Sequence, residues 1–407
     1  MKKLNSKVSR RKFISSVAAG LATASTVGLT PGLSLADDVT AEKTDSQKVI
    51  TRQLGKNGPQ VPIVSMGVAG TNNPGIVQAA YEKGIRHFDT ASNYGYGSNE
   101  QMLGNLIAKL GVRDKVYLAT KITAVHQTAN LSAAEAVKKT ITFVEGSLRR
   151  LKTDYIDVLY LHSMSTAEEV NSPAVIEGLA ELKAQKKILL AGTSTHAGMA
   201  DVINETVKHD IYDIVLTSYN FTYAADTELN NAIKNAGEKG VRFVAMKTQA
   251  GGGRWPNPES RQKYTNSVIM TAALKWIFHN KYFATSIPSM TNFDMLNEDF
   301  SVAYDIEFTE DERNFLNDNS AILSIDFCRQ CRQCLAQCPH GADIPTLMRT
   351  HMYAARYGDM MYARQTYNDI PEKSGLKLCT NCDECTVECA NTVNVKERLE
   401  ELKLMYA

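Results

Sequence analysis

Between residues 49 and 320, short apolar runs alternate with longer segments in which apolar residues recur at helical spacing. The runs predict strands, and the longer segments predict helices that pack against them. A hairpin is predicted at the start, over residues 50–63, because Gly55-Lys56-Asn57-Gly58-Pro59 lies between two apolar runs. The predicted strands are 61–67, 87–89, 116–121, 155–162, 188–194, 214–219, 242–247 and 284–288. The predicted helices are 75–83, 100–110, 133–151, 173–185, 199–208, 227–239 and 267–279.

This alternation restricts the fold class. Eight strands that alternate with helices favour a (β/α)₈ TIM barrel, an α/β fold. The alternative is a doubly wound open sheet, which would carry a G-x-G-x-x-G phosphate loop after its first strand. That pattern is absent from the sequence at this place. We therefore predict a barrel over residues 49–320.

Polar residues follow several of the predicted strands. Asp89 ends the second strand, Lys121 ends the third and His162 ends the fourth, while Tyr94 lies in the loop after the second. Catalytic residues of TIM barrels lie at these carboxyl ends. A lone lysine or histidine there is more often a solvated loop residue. Four such residues on one face, from consecutive strands, are much less expected by chance, so we predict a catalytic site.

These four side chains suit the reduction of a carbonyl group. Tyr94 could donate a proton to the carbonyl oxygen while hydride adds to the carbon. A free phenol has a pKa of roughly 10 and is a poor acid at neutral pH. A nearby ammonium, Lys121, is expected to favour the phenolate and lower the pKa of Tyr94. Asp89 would hold Lys121, and His162 would orient the carbonyl oxygen.

The same motifs resemble the aldo-keto reductases. The resemblance is carried by Phe88-Asp89-Thr90-Ala91 with Tyr94, by Ala119-Thr120-Lys121 and by Leu159-Tyr160-Leu161-His162, and it covers roughly residues 49–320. It implies that Asp89, Tyr94, Lys121 and His162 are the catalytic residues. It also implies reduction of an aldehyde or ketone with a nicotinamide nucleotide, usually NADPH.

The resemblance also implies the residues that contact the nucleotide. They are Gly70, Ser194, Thr195, Tyr219, Met246, Lys247 and Ser289. Several differ from the family pattern: Thr195 replaces an asparagine, Leu216 replaces a glutamine, and Ser289 and Met295 replace the lysine and arginine that hold the 2′-phosphate of NADP. The choice between NADP and NAD therefore stays open. Lys247, Arg254 or backbone N–H groups of the glycine run 251–253 could hold a phosphate instead.

Composition adds a second module. The formal net charge is +1, which gives no reason to expect a nucleic-acid partner. None of the eight cysteines precedes Cys328. This segregation indicates a separate metal-binding domain, not a disulfide framework spread through a core.

The cysteines form two copies of the pattern C-x₂-C-x₂-C-x₃-C, which binds a cubane iron–sulfur cluster. In this pattern the fourth cysteine of each run ligates the cluster of the other run. We therefore assign one 4Fe-4S cluster to Cys328, Cys331, Cys334 and Cys389, and the other to Cys379, Cys382, Cys385 and Cys338. Structural zinc and disulfides are the alternatives. Structural zinc sites are formed by two C-x₂-C pairs, however, so they would leave the last cysteine of each C-x₃-C spacing without a role.

The cysteine runs lie in a predicted second domain, residues 321–407. Residues 344–367 between the runs read as helical, with Pro345 in the first turn, and leucines after Asn394 predict a closing amphipathic helix. The arrangement resembles small α-helical ferredoxin-like domains. The Met246-Lys247 pair and the glycine run are similar to those of a ferredoxin-tailed branch of the aldo-keto reductases.

The N-terminus reads as a targeting segment. Ser9-Arg10-Arg11-Lys12-Phe13-Ile14 is similar to the twin-arginine signal, a weakly apolar run follows over residues 17–29, and Ser34-Leu35-Ala36 suits cleavage. We predict a signal peptide over residues 1–36 and a linker over residues 37–48. This implies export of the folded, cluster-loaded protein to the periplasm, with no stable membrane span after cleavage. The alternative is a frayed basic terminus.

Two functional hypotheses follow. The first is an NAD(P)H-dependent reductase of a small carbonyl substrate, with clusters that exchange electrons with a redox-protein partner at the C-terminal domain. The second is an electron-transfer or partner-binding protein on a reductase-like barrel, with weak or no nucleotide chemistry. In the first, loops 123–131 and 163–172 would shape the substrate pocket. His126 in the former is either an additional acid or, more simply, a solvated loop residue.

Overall fold

The computed structural model describes residues 48–251, 263–323, 325–382 and 384–406. The signal peptide predicted for residues 1–36, nearly all of the predicted linker and Arg254 lie outside these residues. Within the described ranges, the chain forms no helix that has both the length and the apolar character needed to cross a bilayer.

The chain enters the fold through the hairpin predicted from the Gly55–Pro59 turn. Strand β1 (Thr51–Gln53) pairs antiparallel with β2 (Gln60–Pro62), with Thr51 opposite Pro62. Gly55 has φ +70°, a conformation that favours glycine. Leu54 and Val61 are fully buried in a cluster with residues of the barrel interior. The hairpin therefore closes one end of the barrel.

Eight parallel strands follow in strict sequence order. They are β3 (Met66–Gly67), β4 (His87–Asp89), β5 (Tyr117–Ile122), β6 (Ile156–Met164), β7 (Ile188–Thr195), β8 (Ile214–Ser218), β9 (Arg242–Met246) and β10 (Phe283–Ser286). Bridges Val64–Ser286 and Gly67–Ser289 join the last strand to the first, so the sheet is a nearly closed barrel. The predicted (β/α)₈ fold is confirmed. The strand predicted over residues 61–67 is in fact two, because the hairpin strand ends at Pro62 and β3 begins at Met66.

Helices cover the outside of the strands. They are α1 (Pro74–Lys83), α2 (Ser98–Leu110), α3 (Ala124–Thr128), α4 (Ala133–Leu151), α5 (Ala167–Val170), α6 (Pro173–Ala184), α7 (Met199–Thr206), α8 (Thr227–Glu238), α9 (Asn266–Phe278), α10 (Phe293–Ser301), α11 (Glu310–Asn317) and α12 (Asn319–Leu323). The longest, α4, begins at a reciprocal cap in which the Ser132 hydroxyl accepts from the Glu135 N–H. It ends where Lys152 adopts a left-handed conformation.

The C-terminal domain is mostly helical. It contains α13 (Ile344–His351), a π-helical turn (Met352–Arg356), α14 (Met360–Asn368) and α15 (Val395–Tyr406), besides short 3₁₀ turns. The single helical stretch predicted for residues 344–367 is interrupted, because Gly358 has φ +69° and the Asp359 side chain caps a new helix at the Tyr362 N–H. Its own core contains Ile344, Leu347, Met348, Leu399 and Leu402. Met352, Tyr353, Ala354 and Ala363 instead join the hydrophobic core that includes the barrel, so this domain packs on the barrel.

Candidate active site

Parallel pairing brings the predicted catalytic residues to one edge of the barrel. Asp89 lies opposite Ala119, and Lys121 lies opposite Tyr160, two residues before His162. Tyr94 begins the turn Tyr94–Gly97, where Gly95, Tyr96 and Gly97 all have positive φ. Two of these three positions are glycine, which adopts that conformation at little cost. This sharp turn, placed directly after β4, returns Tyr94 over the strand ends.

All four side chains are buried, with exposed fractions between 2% and 8%. The Lys121 ammonium donates to the Asp89 carboxylate and, at 2.6 Å, to the Thr90 carbonyl oxygen. Lys121 Nζ lies 4.9 Å from the centroid of the Tyr94 ring, and the His162 ring lies edge-on to Tyr94 at 5.9 Å. The structure therefore brings Asp89, Tyr94, Lys121 and His162 together.

The electrostatics of Tyr94 differ from the expectation. Burial, together with the Asp89 carboxylate, raises the pKa of Tyr94 above its ordinary value. The prediction that Lys121 lowers this pKa was wrong for the protein in this state. The physical reason is that burial of the phenol and the nearby Asp89 carboxylate raise this pKa more than any neighbour lowers it. Tyr94 therefore stays protonated at neutral pH.

His162 is set up as a neutral donor. Burial, and then the nearby Lys121 charge, lower the pKa of His162 well below its ordinary value. A neutral imidazole has one N–H donor and one acceptor nitrogen. His162 can therefore donate to a carbonyl oxygen beside Tyr94 without adding a second acid to the site.

Two residues of the C-terminal domain complete this site. The Tyr362 ring packs edge-on against Tyr94 with centroids 5.1 Å apart, and Tyr353 packs on Tyr362 with centroids 4.3 Å apart. The Tyr353 hydroxyl accepts a 2.6 Å hydrogen bond from Lys247 Nζ. Sequence reasoning did not find these tyrosines. The local pattern showed a tyrosine-rich helical segment, but it contained no signal for which face would meet the barrel.

Most of the predicted nucleotide positions lie at the same edge. Ser194 Oγ accepts from the Ser163 N–H at 2.9 Å, and Thr195 Oγ1 donates to the Ala197 carbonyl at 3.0 Å. Gly70 lies beside Ser289, because a Cβ on Gly70 would lie 3.5 Å from that of Ser289. Met246 ends β9, and Lys247 follows it with φ +54°.

Tyr219 does not join this group. Its ring stacks on Phe283 at 4.5 Å and lies 5.0 Å from Trp276, while its hydroxyl donates to Asn230 at 2.7 Å. The side chain is thus used in packing between the sheet and its helices. The expectation that it contacts a nucleotide has no support in its surroundings.

Two cations lie near His196 at the barrel mouth. Lys247 and Arg349 both act to lower the pKa of His196, after the larger effect of burial. His196 is 6% exposed, and its Nδ1 has no partner among the described residues. Neither His196 nor Arg349 was found from sequence. This environment suits an anionic ligand group.

The eight cysteines are free thiols and lie in two sets. Burial, followed by Cys328 and Cys331, raises the pKa of Cys334 to about 12, and Cys389 adds to the effect. Burial, followed by Cys338, raises the pKa of Cys379 to about 11, with further contributions from Cys385 and Cys382. Each set contains four thiols, grouped as in the sequence analysis.

The second set surrounds a space that suits an iron–sulfur cluster. Cys338, Cys379, Cys382 and Cys385 line one cavity. Coordination to a metal deprotonates a thiol outright, so a bound cluster would hold these groups as thiolates. The first set adjoins the barrel: the Arg332 guanidinium donates to the Ser165 carbonyl and the Tyr223 hydroxyl to the Arg329 carbonyl, both at 3.2 Å.

Comparisons with known proteins agree with this division. Residues 71–267 match the aldo/keto reductase family, and residues 327–394 match the 4Fe-4S dicluster domain. The chain is thus an aldo-keto reductase-like oxidoreductase with a C-terminal 4Fe-4S dicluster domain.

L-galactose dehydrogenase from Arabidopsis thaliana is 26% identical over 308 residues, which are 68% of this chain and 95% of that protein. Aldo-keto reductase AKR11C1 from Bacillus halodurans, in its holo form, is 24% identical with a TM-score of 0.53 and covers 66% of this chain and 95% of its own. An aldo-keto reductase from Klebsiella pneumoniae in complex with NADPH is 20% identical with a TM-score of 0.51. The match covers 67% of this chain and 96% of that one. The two solved structures support the fold.

Proposed function

We propose that this protein reduces an aldehyde or ketone with NADPH or NADH, and that Tyr94 supplies the proton. One observation carries the proposal: Tyr94, Lys121, Asp89 and His162 meet, buried, at the carboxyl edge of the barrel. A buried phenol beside a neutral imidazole and a fixed ion pair matches what addition of hydride to a carbonyl demands.

The protein's own residues have distinct roles in this proposal. His162 donates a hydrogen bond to the carbonyl oxygen and stabilises the charge that develops there. Tyr94 donates its proton to the same oxygen, which its raised pKa allows only as the oxygen becomes strongly basic. The Lys121–Asp89 pair fixes the electrostatic environment of the phenol. The nicotinamide supplies the hydride when it is bound.

The nucleotide would be held at the carboxyl edge. Ser194, Thr195, Met246 and Ser289 lie there, and Lys247 with Arg349 makes the mouth positive. A positive environment favours the nucleotide's phosphates. The reductase from Klebsiella pneumoniae, solved in complex with NADPH, supports a nicotinamide nucleotide as cofactor.

The two thiol sets would each hold a 4Fe-4S cluster, and clusters of this kind carry single electrons. We propose that they exchange electrons with a redox protein that docks on the C-terminal domain. The substrate is a small carbonyl compound.

The experiment follows a deuterium label. Anaerobically purified protein is given NADPH deuterated at the transferable C4 position together with 4-nitrobenzaldehyde or glyceraldehyde. We expect carbonyl-dependent NADPH oxidation and deuterium on the carbinol carbon of the alcohol. The proposal would be contradicted if neither carbonyl compound caused oxidation of NADPH or of NADH. Alcohol without the label would show that electrons arrive through the clusters.

One observation favours the second candidate, an electron-transfer protein on a reductase-like barrel. The Lys247 ammonium, the cation best placed to hold a phosphate, already donates a hydrogen bond to the Tyr353 hydroxyl. Under this alternative, neither NADPH nor NADH would bind in a fluorescence titration, while dithionite would reduce the clusters normally. Nucleotide binding in that titration, together with carbonyl-dependent oxidation of the nucleotide, would exclude it.

We also propose that residues 1–36 direct export to the periplasm through the twin-arginine route. The sequence pattern supports this: paired Arg10 and Arg11, a weakly apolar run and a small-residue cleavage site. Replacement of both arginines by lysine is expected to leave the protein in the cytoplasm in cell fractionation. Unchanged periplasmic protein would contradict this localisation.

A further inference from the structure

Two tyrosines of the C-terminal domain lie against the predicted proton donor. The rings of Tyr94 and Tyr362 are 5.1 Å apart, and those of Tyr362 and Tyr353 are 4.3 Å apart. The Tyr353 hydroxyl accepts from Lys247 Nζ at 2.6 Å. Three phenols and one ammonium therefore form a continuous row from the end of β9, through the C-terminal domain, to the loop after β4.

The phenol hydroxyls of this row also interact with their neighbours. Burial raises the pKa of Tyr94, and a hydrogen bond from the Tyr362 hydroxyl opposes that rise. Burial also raises the pKa of Tyr362, and a hydrogen bond from Tyr353 opposes it. The Lys247 ammonium has donors only. Each group can thus pass a proton to the next one.

Two of the three phenols in the row are almost completely shielded from water. Tyr94 and Tyr353 are 8% and 3% exposed, and Tyr362 is half-buried. A phenolate left on Tyr94 after proton donation would be a buried charge, which is costly unless it is compensated. Replacement of the Tyr94 proton from within the protein removes that cost.

We propose that Lys247, Tyr353 and Tyr362 form a proton relay through the C-terminal domain to Tyr94. The inference rests on the proposed carbonyl reduction. The carbonyl carbon accepts hydride from the nicotinamide, and the carbonyl oxygen accepts the Tyr94 proton. Tyr362 then gives its proton to Tyr94, Tyr353 to Tyr362, and the Lys247 ammonium to Tyr353. The products are the alcohol, oxidised nucleotide and a neutral Lys247 amine, which regains a proton from solvent before the next turnover.

Two chemical properties suit these roles. Burial lowers the pKa of Lys247, although Tyr353 opposes the effect, so this ammonium releases a proton more readily than a solvated lysine. A tyrosine hydroxyl has one O–H and two lone pairs. Tyr94 can therefore accept from Tyr362 while it donates to the substrate.

The test is a proton inventory under single-turnover conditions. Anaerobic holoprotein loaded with NADPH is mixed with 4-nitrobenzaldehyde in buffers of increasing D₂O fraction. We expect a curved dependence for the wild type, because several protons move together. Tyr362→Phe keeps the ring but breaks the row. It should slow the reaction roughly 10²-fold, the low end of general acid–base effects, and make the dependence linear. Tyr353→Phe should act in the same direction.

Tyr357→Phe is the matched control, because the Tyr357 ring lies 5.8 Å from Tyr353 but outside the row. It should keep the wild-type rate and curvature, and the cluster absorption spectrum verifies the fold of every variant. A wild-type rate in Tyr362→Phe, or a slow rate with unchanged curvature, would overturn the relay. If Tyr94→Phe lost activity while Tyr362→Phe and Tyr353→Phe kept it, the proposed function would stand and only the relay would be refuted. A wild type inactive with every carbonyl would refute the proposed function and the relay with it.

Discussion

The residues of the barrel site and the eight cysteines differ in how they are held before any ligand binds. Asp89, Lys121 and His162 are carried on strands, and Lys121 already has its partners. The cysteines lie on loops or short 3₁₀ turns as free thiols, and Cys331 is exposed. Strand register preorganises the first region. The second is expected to need iron before its thiolates adopt a defined arrangement.

The same contrast explains what the sequence could and could not reveal. Asp89, Lys121 and His162 were predictable because parallel strands bring their carboxyl ends to one edge. The two cysteine runs were predictable because their spacing has a chemical reason. The partnership of Tyr362 with Tyr94 was not, since it depends on how two domains dock and not on local periodicity. Gly358-Asp359 did carry a signal for the helix break at that point.

The largest expected effect comes from removing ligands of one cluster. We expect Cys334→Ala with Cys389→Ala to lose about half of the bound iron and to expose the C-terminal domain to limited proteolysis, because metal binding and folding are coupled. The barrel should survive as a protected fragment. Iron analysis and mass spectrometry of the fragments measure both effects. Full iron content with an unchanged digestion pattern would show that the cysteine region, like the barrel, keeps its structure without these ligands.

A second variant tests the preorganised pair in the barrel. Asp89→Asn leaves the Lys121 ammonium buried without its carboxylate, which typically costs about 3–5 kcal/mol of folding free energy. Urea unfolding followed by circular dichroism measures the loss. Asp114→Asn, at an exposed aspartate, is the control and should be neutral. Equal stability of the two variants would show that the pair contributes nothing to the barrel.

A third variant tests the pH dependence of the barrel. Burial raises the pKa of Asp299 to about 7, while Gln249 donates to the carboxylate at 2.6 Å. Because the pKa of Asp299 is higher in the folded chain, its contribution to folding stability is fully present below pH ~4, the pKa of an aspartate in the unfolded chain. This contribution is lost as the pH rises through 7. The loss should reach about 2–4 kcal/mol. In Asp299→Asn, the free energy of unfolding should no longer fall between pH 5 and 8. If it still falls in that variant, another group causes the pH dependence.

The central claim is that Tyr94 donates the proton in carbonyl reduction, and a single-turnover comparison tests it most directly. Tyr94→Phe is measured against Tyr96→Phe, a change in the same turn at a side chain that is 80% exposed. NADPH-loaded holoprotein is mixed with the aldehyde, and loss of NADPH absorbance is followed. We predict that Tyr94→Phe slows the reaction by roughly 10²–10⁴-fold, with nucleotide affinity unchanged, and that Tyr96→Phe matches the wild type. A wild-type rate in Tyr94→Phe would contradict the claim.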